Sequence, residues 1–181
     1  MSATTNHTSS LTSEVPILRE EEAIIQVENL TKTFGDFTAV KGITFDVYKG
    51  EIFGFLGANG AGKTTAMKML IGISKPTSGK AIVAGLDVAT QADLVKKSIG
   101  YMSQKFSLYD DLTIKENITF FGGIYGLSRK QIKEKTAQLI SELEMQNVAN
   151  NLVGSLPLGW KQKLSFSVSL LHEPKIVFLD E

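Results

Sequence analysis

The chain has 181 residues, 43% apolar and 21% charged, which suits one folded domain with a buried core. Lys plus Arg and Asp plus Glu number 19 each, so no excess charge draws it to nucleic acid or to an anionic membrane surface. Cysteine is absent and the only histidines are His7 and His172, which excludes disulfides, thiolate metal sites and a histidine-rich cluster.

Residues 1–22 read as a disordered polar tail ending in Glu20-Glu21-Glu22. The Ser/Thr-rich start has neither the basic nor the apolar region of a secretory signal. No apolar run reaches the roughly 18 residues of a spanning helix, so a membrane role would need a partner. From Ala23, the β-branched residues Ile24, Ile25 and Val27 predict a strand. Ile43, Phe45 and Val47 alternate with polar residues and predict a second, closed by Lys49-Gly50. The apolar run Glu51–Leu56 is expected as a short strand entering a glycine-rich loop, with a helix over Thr64–Ile71 behind it. Turn chemistry at 75–79 precedes strands at Ala81–Ala84 and Ile99–Met102.

The middle of the chain reads as a helical block over about 106–172. Thr113 with Glu116, and Ser128 with Gln131, have the spacing of capping boxes. Ile114, Ile118, Phe121 and Tyr125 share one helical face, Ile132, Leu139 and Leu143 mark a second helix, and Leu164, Val168 and Leu171 a third. Pro174 ends the block, and Ile176–Leu179 returns as a buried strand running into Asp180-Glu181.

Residues Gly57-Ala58-Asn59-Gly60-Ala61-Gly62-Lys63-Thr64 match G-x-x-x-x-G-K-[ST] in full. Glycines let the backbone turn several N–H groups inward to a polyphosphate, and the helix behind them adds its positive dipole end. Lys63 is expected at the β- and γ-phosphates and the Thr64 hydroxyl at Mg2+, with Thr65 beside it. The plain alternative is a glycine-rich turn carrying an exposed lysine. At the other end of the chain, Asp180 is expected to hold Mg2+ and Glu181 to act as a base on water; the alternative is a solvated strand end.

With these motifs, the chain resembles the ATP-binding cassette (ABC) family of transporter ATPases over about residues 23–181. Phe34 in Leu30–Gly35 matches that family's aromatic residue, which stacks on adenine. Gln104, after the Ile99–Ser103 strand, matches its glutamine, which touches Mg2+ and the attacking water. Leu156-Pro157-Leu158-Gly159-Trp160-Lys161-Gln162-Lys163-Leu164 lies where the signature L-S-G-G-Q-K-Q-R-L belongs. Tyr101–Tyr109 and the Leu-Pro-Leu-Gly-Trp stretch look most like YbhF-like ATP-binding subunits of bacterial ABC-2-type multidrug exporters.

Two departures stand out. Pro157 replaces a serine and so supplies neither hydroxyl nor N–H, which predicts weaker γ-phosphate binding in trans by Leu156, Gly159, Lys161 and Gln162. Trp160 is expected as a core or interface anchor. The chain also ends at Glu181, before the family's interface aspartate loop and switch histidine, and so reads as truncated. His172 precedes the acidic strand and is read as structural or exposed.

The resemblance implies an α/β fold: a P-loop core with a largely parallel sheet, an antiparallel N-terminal portion and a helical subdomain. It implies an ABC-type ATPase with ATP and Mg2+ as cofactors, on the cytoplasmic side of the inner (plasma) membrane. Its partners would be ABC-2-type permease subunits and a second cassette. The alternatives are a nucleotide-binding module without turnover and a soluble ABC protein acting on ribosomes or DNA, the last disfavoured by the balanced charge.

Overall fold

The computed structural model describes residues 23–103 and 108–180. Strands β1 (Ala23–Phe34) and β2 (Phe37–Tyr48) form a long hairpin. It turns at Gly35, whose φ of 55° is left-handed backbone that glycine adopts without strain. β1 also pairs with β3 (Ser78–Val83), and β3 with the short β4 (Leu86–Asp87). The resulting four-stranded sheet has the order β2-β1-β3-β4 and is antiparallel throughout. Ile25, Val27 and Leu30 of β1 all face the core, although strict alternation would turn position 29 inward instead of 30. The register shifts between Val27 and Leu30, and Asn29 takes a φ of 46°, so this irregularity re-aims Leu30. Against that face packs α1 (Lys63–Leu70), through Ala66, Met69 and Leu70.

A second, two-stranded sheet pairs β5 (Ile99–Met102) with β6 (Ile176–Leu179) in parallel, Ile99 opposite Ile176 and Met102 opposite Leu179. β5 continues directly from α2 (Ala92–Ser98), a helix with a single fully buried side chain, Val95. The α/β class holds; among the described residues its parallel part is this one pair. The apolar run 51–56 departs from the expected strand. It has no regular secondary structure, and Ile52 and Leu56 are 99% and 94% exposed. The run and β6 both line a cavity of about 1160 Å³, together with Ile25 and Val47. Apolar composition favours a strand only where a neighbouring strand can take its N–H and C=O groups, and the run has no such partner among the described residues.

Between the two strands of this parallel pair lies the helical block, built from α3 (Ile114–Ile124), α4 (Arg129–Glu142) and α5 (Leu158–Ser169) with short 3-10 turns at Gln146–Val148 and Val153–Ser155. Both expected capping boxes are formed. Thr113 and Glu116 exchange side-chain-to-backbone hydrogen bonds at α3, and Ser128 and Gln131 do so at α4. Ile114, Ile118, Val153, Leu164, Val168 and Leu171 make a core separate from that of the antiparallel sheet. Asn117 is the polar centre of this block and is fully buried. Its Oδ1 accepts from the Tyr109 N–H at 2.8 Å, and its Nδ2 donates to the carbonyls of Tyr109, Leu112 and Thr113 at 3.0, 3.3 and 3.1 Å. One side chain thereby ties down the loop that enters α3.

His172 joins block to sheet. Its ring stacks on Tyr125 at 3.8 Å between centroids, and its Nε2–H donates to the Ile99 carbonyl at 3.0 Å. Gly100 fits beside it because a Cβ there would lie 2.6 Å from the Ser169 carbonyl of α5. The Nδ1 of His172 is buried without a hydrogen-bond partner among the described residues. Burial holds the imidazole below its ordinary titration range, against the opposing pull of the Ile99 carbonyl, and the Lys135 ammonium adds to the lowering.

Replacing Asn117 with Leu leaves the Tyr109 N–H without its acceptor beside a fully buried side chain. The expected cost is about 3 kcal/mol, read as a lower urea midpoint with an unchanged slope. For His172 the unfolded chain takes up the proton first as pH falls. Its contribution is therefore full above about pH 6.5 and lost below it. The thermal midpoint of the unaltered protein should fall more between pH 7.5 and 5.5 than that of His172→Gln, which a pair of melting curves at each pH will show.

Candidate functional site

The phosphate-loop sequence forms a tight ring at the end of the antiparallel sheet. Residues Asn59-Gly60 turn, with the Ala61 N–H donating to the Ala58 carbonyl at 3.2 Å. Gly62, with a φ of 83°, is the N-cap of α1, and its carbonyl accepts from the Ala66 N–H at 2.8 Å. A Cβ on Gly62 would sit 2.2 Å from the Ala39 carbonyl of β2, so only glycine permits this approach. Lys63 folds back over the loop. Its Nζ donates to the carbonyls of Gly57 at 2.6 Å and Ala58 at 2.9 Å, which holds the ammonium against the loop.

Lys63, Thr64 and Thr65 line the large cavity with Asn59, Gly60 and Gly62, and β6 and Asp180 line it too. Asp180 is anchored by its backbone N–H, which donates to the Met102 carbonyl at 2.9 Å and so extends the parallel ladder by one bond. Its carboxylate Oδ2 accepts from the Tyr101 hydroxyl at 3.4 Å. Burial, with the Asp180 charge second, pushes the Tyr101 phenol above its ordinary range. A threonine hydroxyl and a carboxylate are hard oxygen donors of the kind Mg2+ prefers. No group of three or more His, Cys, Asp or Glu side chains gathers anywhere among the described residues. The donor set therefore fits a cation that takes the rest of its shell from phosphate and water.

One expected site residue, Phe34, stands away from the cavity. Phe34 sits at the exposed tip of β1, with the Lys32 ammonium 5.0 Å from its ring centroid, and does not line the cavity. Phe37, across the hairpin, does line it, and sequence reasoning missed that residue. Gln104 and Glu181 lie outside the described residues, as does the tail 1–22.

In the Leu156–Leu164 stretch, Leu156 is buried and Pro157 is the N-cap of α5, its carbonyl accepting from the N–H groups of Trp160 and Lys161. Leu158, Gly159 and Gln162 are exposed. Trp160 is 37% exposed, so it is no core anchor. Lys161 is drawn to its own chain, its Nζ 3.0 Å from the Asp110 carboxylate.

The ABC transporter family profile matches residues 40–181, spanning the phosphate loop, the helical block and β6. The chain belongs to the ABC transporter family. It is 46% identical over 160 residues to the probable multidrug ABC transporter ATP-binding protein YbhF of Escherichia coli, covering 88% of this chain and 28% of that one. It is 38% identical to the Nod factor export ATP-binding protein I of Rhizobium sp., of which it covers 52%. It thus spans about half or less of these curated relatives. Among solved structures, an ATP-binding subunit of an ABC transporter superposes with a TM-score of 0.78 at 26% identity, over 87% of this chain and 66% of that one. CbiO1 from Clostridium perfringens, part of the ABC transporter complex cbiONQ, gives 0.76 at 26% identity, over 89% and 66%.

Within this ABC transporter chain, Tyr101 and Asp110 are the contacts that sequence reasoning missed. Each meets a motif residue far along the chain, and no local pattern marks such a pair. The loop geometry separates two glycines that look alike in the motif. Gly60→Ala meets open space and carries only the strain of left-handed backbone, about 1 kcal/mol. Gly62→Ala adds the collision with Ala39 and should cost about 3 kcal/mol or more, a difference that urea denaturation of the two variants resolves.

Proposed function

We propose that this chain is the ATP-binding part of an ABC transporter, coupling ATP binding and hydrolysis to export through a membrane-spanning partner. The observation that carries the reading is one cavity lined by Lys63, Thr64 and Asp180 together. The loop N–H groups and Lys63 hold the triphosphate by charge and hydrogen bonding, Lys63 exchanging the carbonyls of Gly57 and Ala58 for phosphate oxygens. Thr64, Asp180 and Gln104 hold Mg2+, which when bound neutralises phosphate charge. Glu181 takes a proton from the attacking water, and an aromatic residue, Phe34 with Phe37 as a neighbour, covers the base.

The exposed Leu158, Gly159 and Gln162 suit contact with nucleotide on a second cassette. The functions of the two relatives, probable multidrug transport and Nod factor export, support an export partner of the ABC-2 type. No described helix is long and apolar enough to cross a membrane, so such a partner would supply the spanning part, with this domain on the cytoplasmic side of the inner membrane. The balanced charge speaks against nucleic acid. The domain of this function runs over residues 23–181, with a helical subdomain at about 106–172. A second reading, nucleotide holding without turnover, is favoured by one feature: the run leading into the phosphate loop and β6 line one cavity and share no ladder among the described residues.

Magnesium-ATP binding by calorimetry, beside steady-state phosphate release, tests both readings on the unaltered chain and on Lys63→Ala. Binding weakened about 100-fold or more in the variant, with turnover lost, supports the ATPase. Lys63-dependent binding without turnover supports the holding module. Binding indifferent to Lys63 overturns both.

A further inference from the structure

We infer that Tyr101 is a positioning residue for Asp180: its hydroxyl fixes the carboxylate that faces the phosphate loop. The inference rests on the nucleotide-binding reading above and adds to it a residue outside the recognised motifs.

The placement follows from the parallel ladder. Tyr101 on β5 is level with Phe178 on β6. Side chains two apart on a strand share a face, so Asp180 projects to the same side as Phe178 and therefore as Tyr101, about 7 Å further along. A tyrosine side chain spans that distance and no aliphatic one does. The hydroxyl arrives 3.4 Å from Asp180 Oδ2, and the Asp180 N–H is tied at the same time to the Met102 carbonyl at 2.9 Å. Main chain and side chain of Asp180 are thus both held by neighbouring residues of one strand, β5. The ring of Tyr101 packs against the core of the antiparallel sheet, which fixes the angle from which the hydroxyl approaches.

The division of labour within Tyr101 is what makes the role testable. Packing belongs to the ring, and orientation of the carboxylate belongs to the hydroxyl. A hydrogen bond from a fixed donor to one oxygen narrows the orientations open to the carboxylate and leaves Oδ1 for a cation. Outer partners of this kind tune a carboxylate ligand's hold on its metal by roughly 10-fold or more.

The experiment measures ATP affinity twice for each protein, with magnesium and with EDTA, alongside Mn2+ binding followed by electron paramagnetic resonance in the presence of ADP. In Tyr101→Phe the metal-free affinity and the melting temperature should stay as in the unaltered chain. The gain in affinity that magnesium brings should fall about 10-fold, with Mn2+ affinity falling alike. Adding Tyr101→Phe to Asp180→Asn should bring little further loss, because the hydroxyl acts only through that carboxylate. A Tyr101→Phe protein that keeps the full magnesium gain overturns the inference, as does one that loses metal-free and metal-bound affinity equally. Loss of the gain in Asp180→Asn but not in Tyr101→Phe would leave the functional reading standing and remove Tyr101 from it. An unaltered chain that binds no nucleotide overturns both.

Discussion

The approach of Gly62 to the Ala39 carbonyl decides where the phosphate loop can be. At that point the antiparallel sheet touches the first residue of the α1 cap, with no room for a single added carbon. α1 is held from behind by the sheet through Ala66, Met69 and Leu70, and in front by this contact, so its N-terminus is fixed in place and direction. What the loop offers a ligand, the dipole end of α1 and the reach of Lys63, depends on that fixed origin. The lysine is itself restrained, since its two carbonyl partners are loop residues.

Facing this rigid origin is a second assembly with a different anchor. β5 and β6 are far apart in sequence, and the helical block is the whole of what joins them. Their ladder closes the block at its base and carries Asp180 to the cavity. His172, Gly100 and Ser169 make the seam between block and ladder. At the far side of the block, Lys161 of α5 reaches the Asp110 carboxylate, which binds the signature stretch to the loop leading into α3. Asn117 then locks that same loop to α3 itself. A chain of polar contacts therefore runs from the signature helix to the segment that follows β5.

What the sequence made legible was mainly local. The glycine-rich loop, the two capping boxes and the buried stripes at Ile114–Ile118 and Leu164–Val168–Leu171 all stand where spacing put them, because cap chemistry and helical period act within a few residues. α2 escaped because Leu94 and Val95 give too little periodicity. Its entry is set by Asp87, whose Oδ1 accepts from the N–H groups of Ala89 and Thr90. The run 51–56 misled for the opposite reason: its composition is that of a strand, and strand formation depends on a partner that composition does not reveal. Tyr101, Phe37 and Asp110 depend on register, hairpin geometry and a pairing across 51 positions, so folding had to be known before their role could be seen.

The two buried cores have no residue in common. One belongs to the sheet that seats the phosphate loop, the other to the helical block that displays Leu158, Gly159 and Gln162. A change in side-chain volume in one core leaves no void in the other, so selection can act on each half at its own pace. The block and its surface are free to diverge toward new neighbours while the nucleotide seat, pinned by a glycine with no alternative, stays as it is.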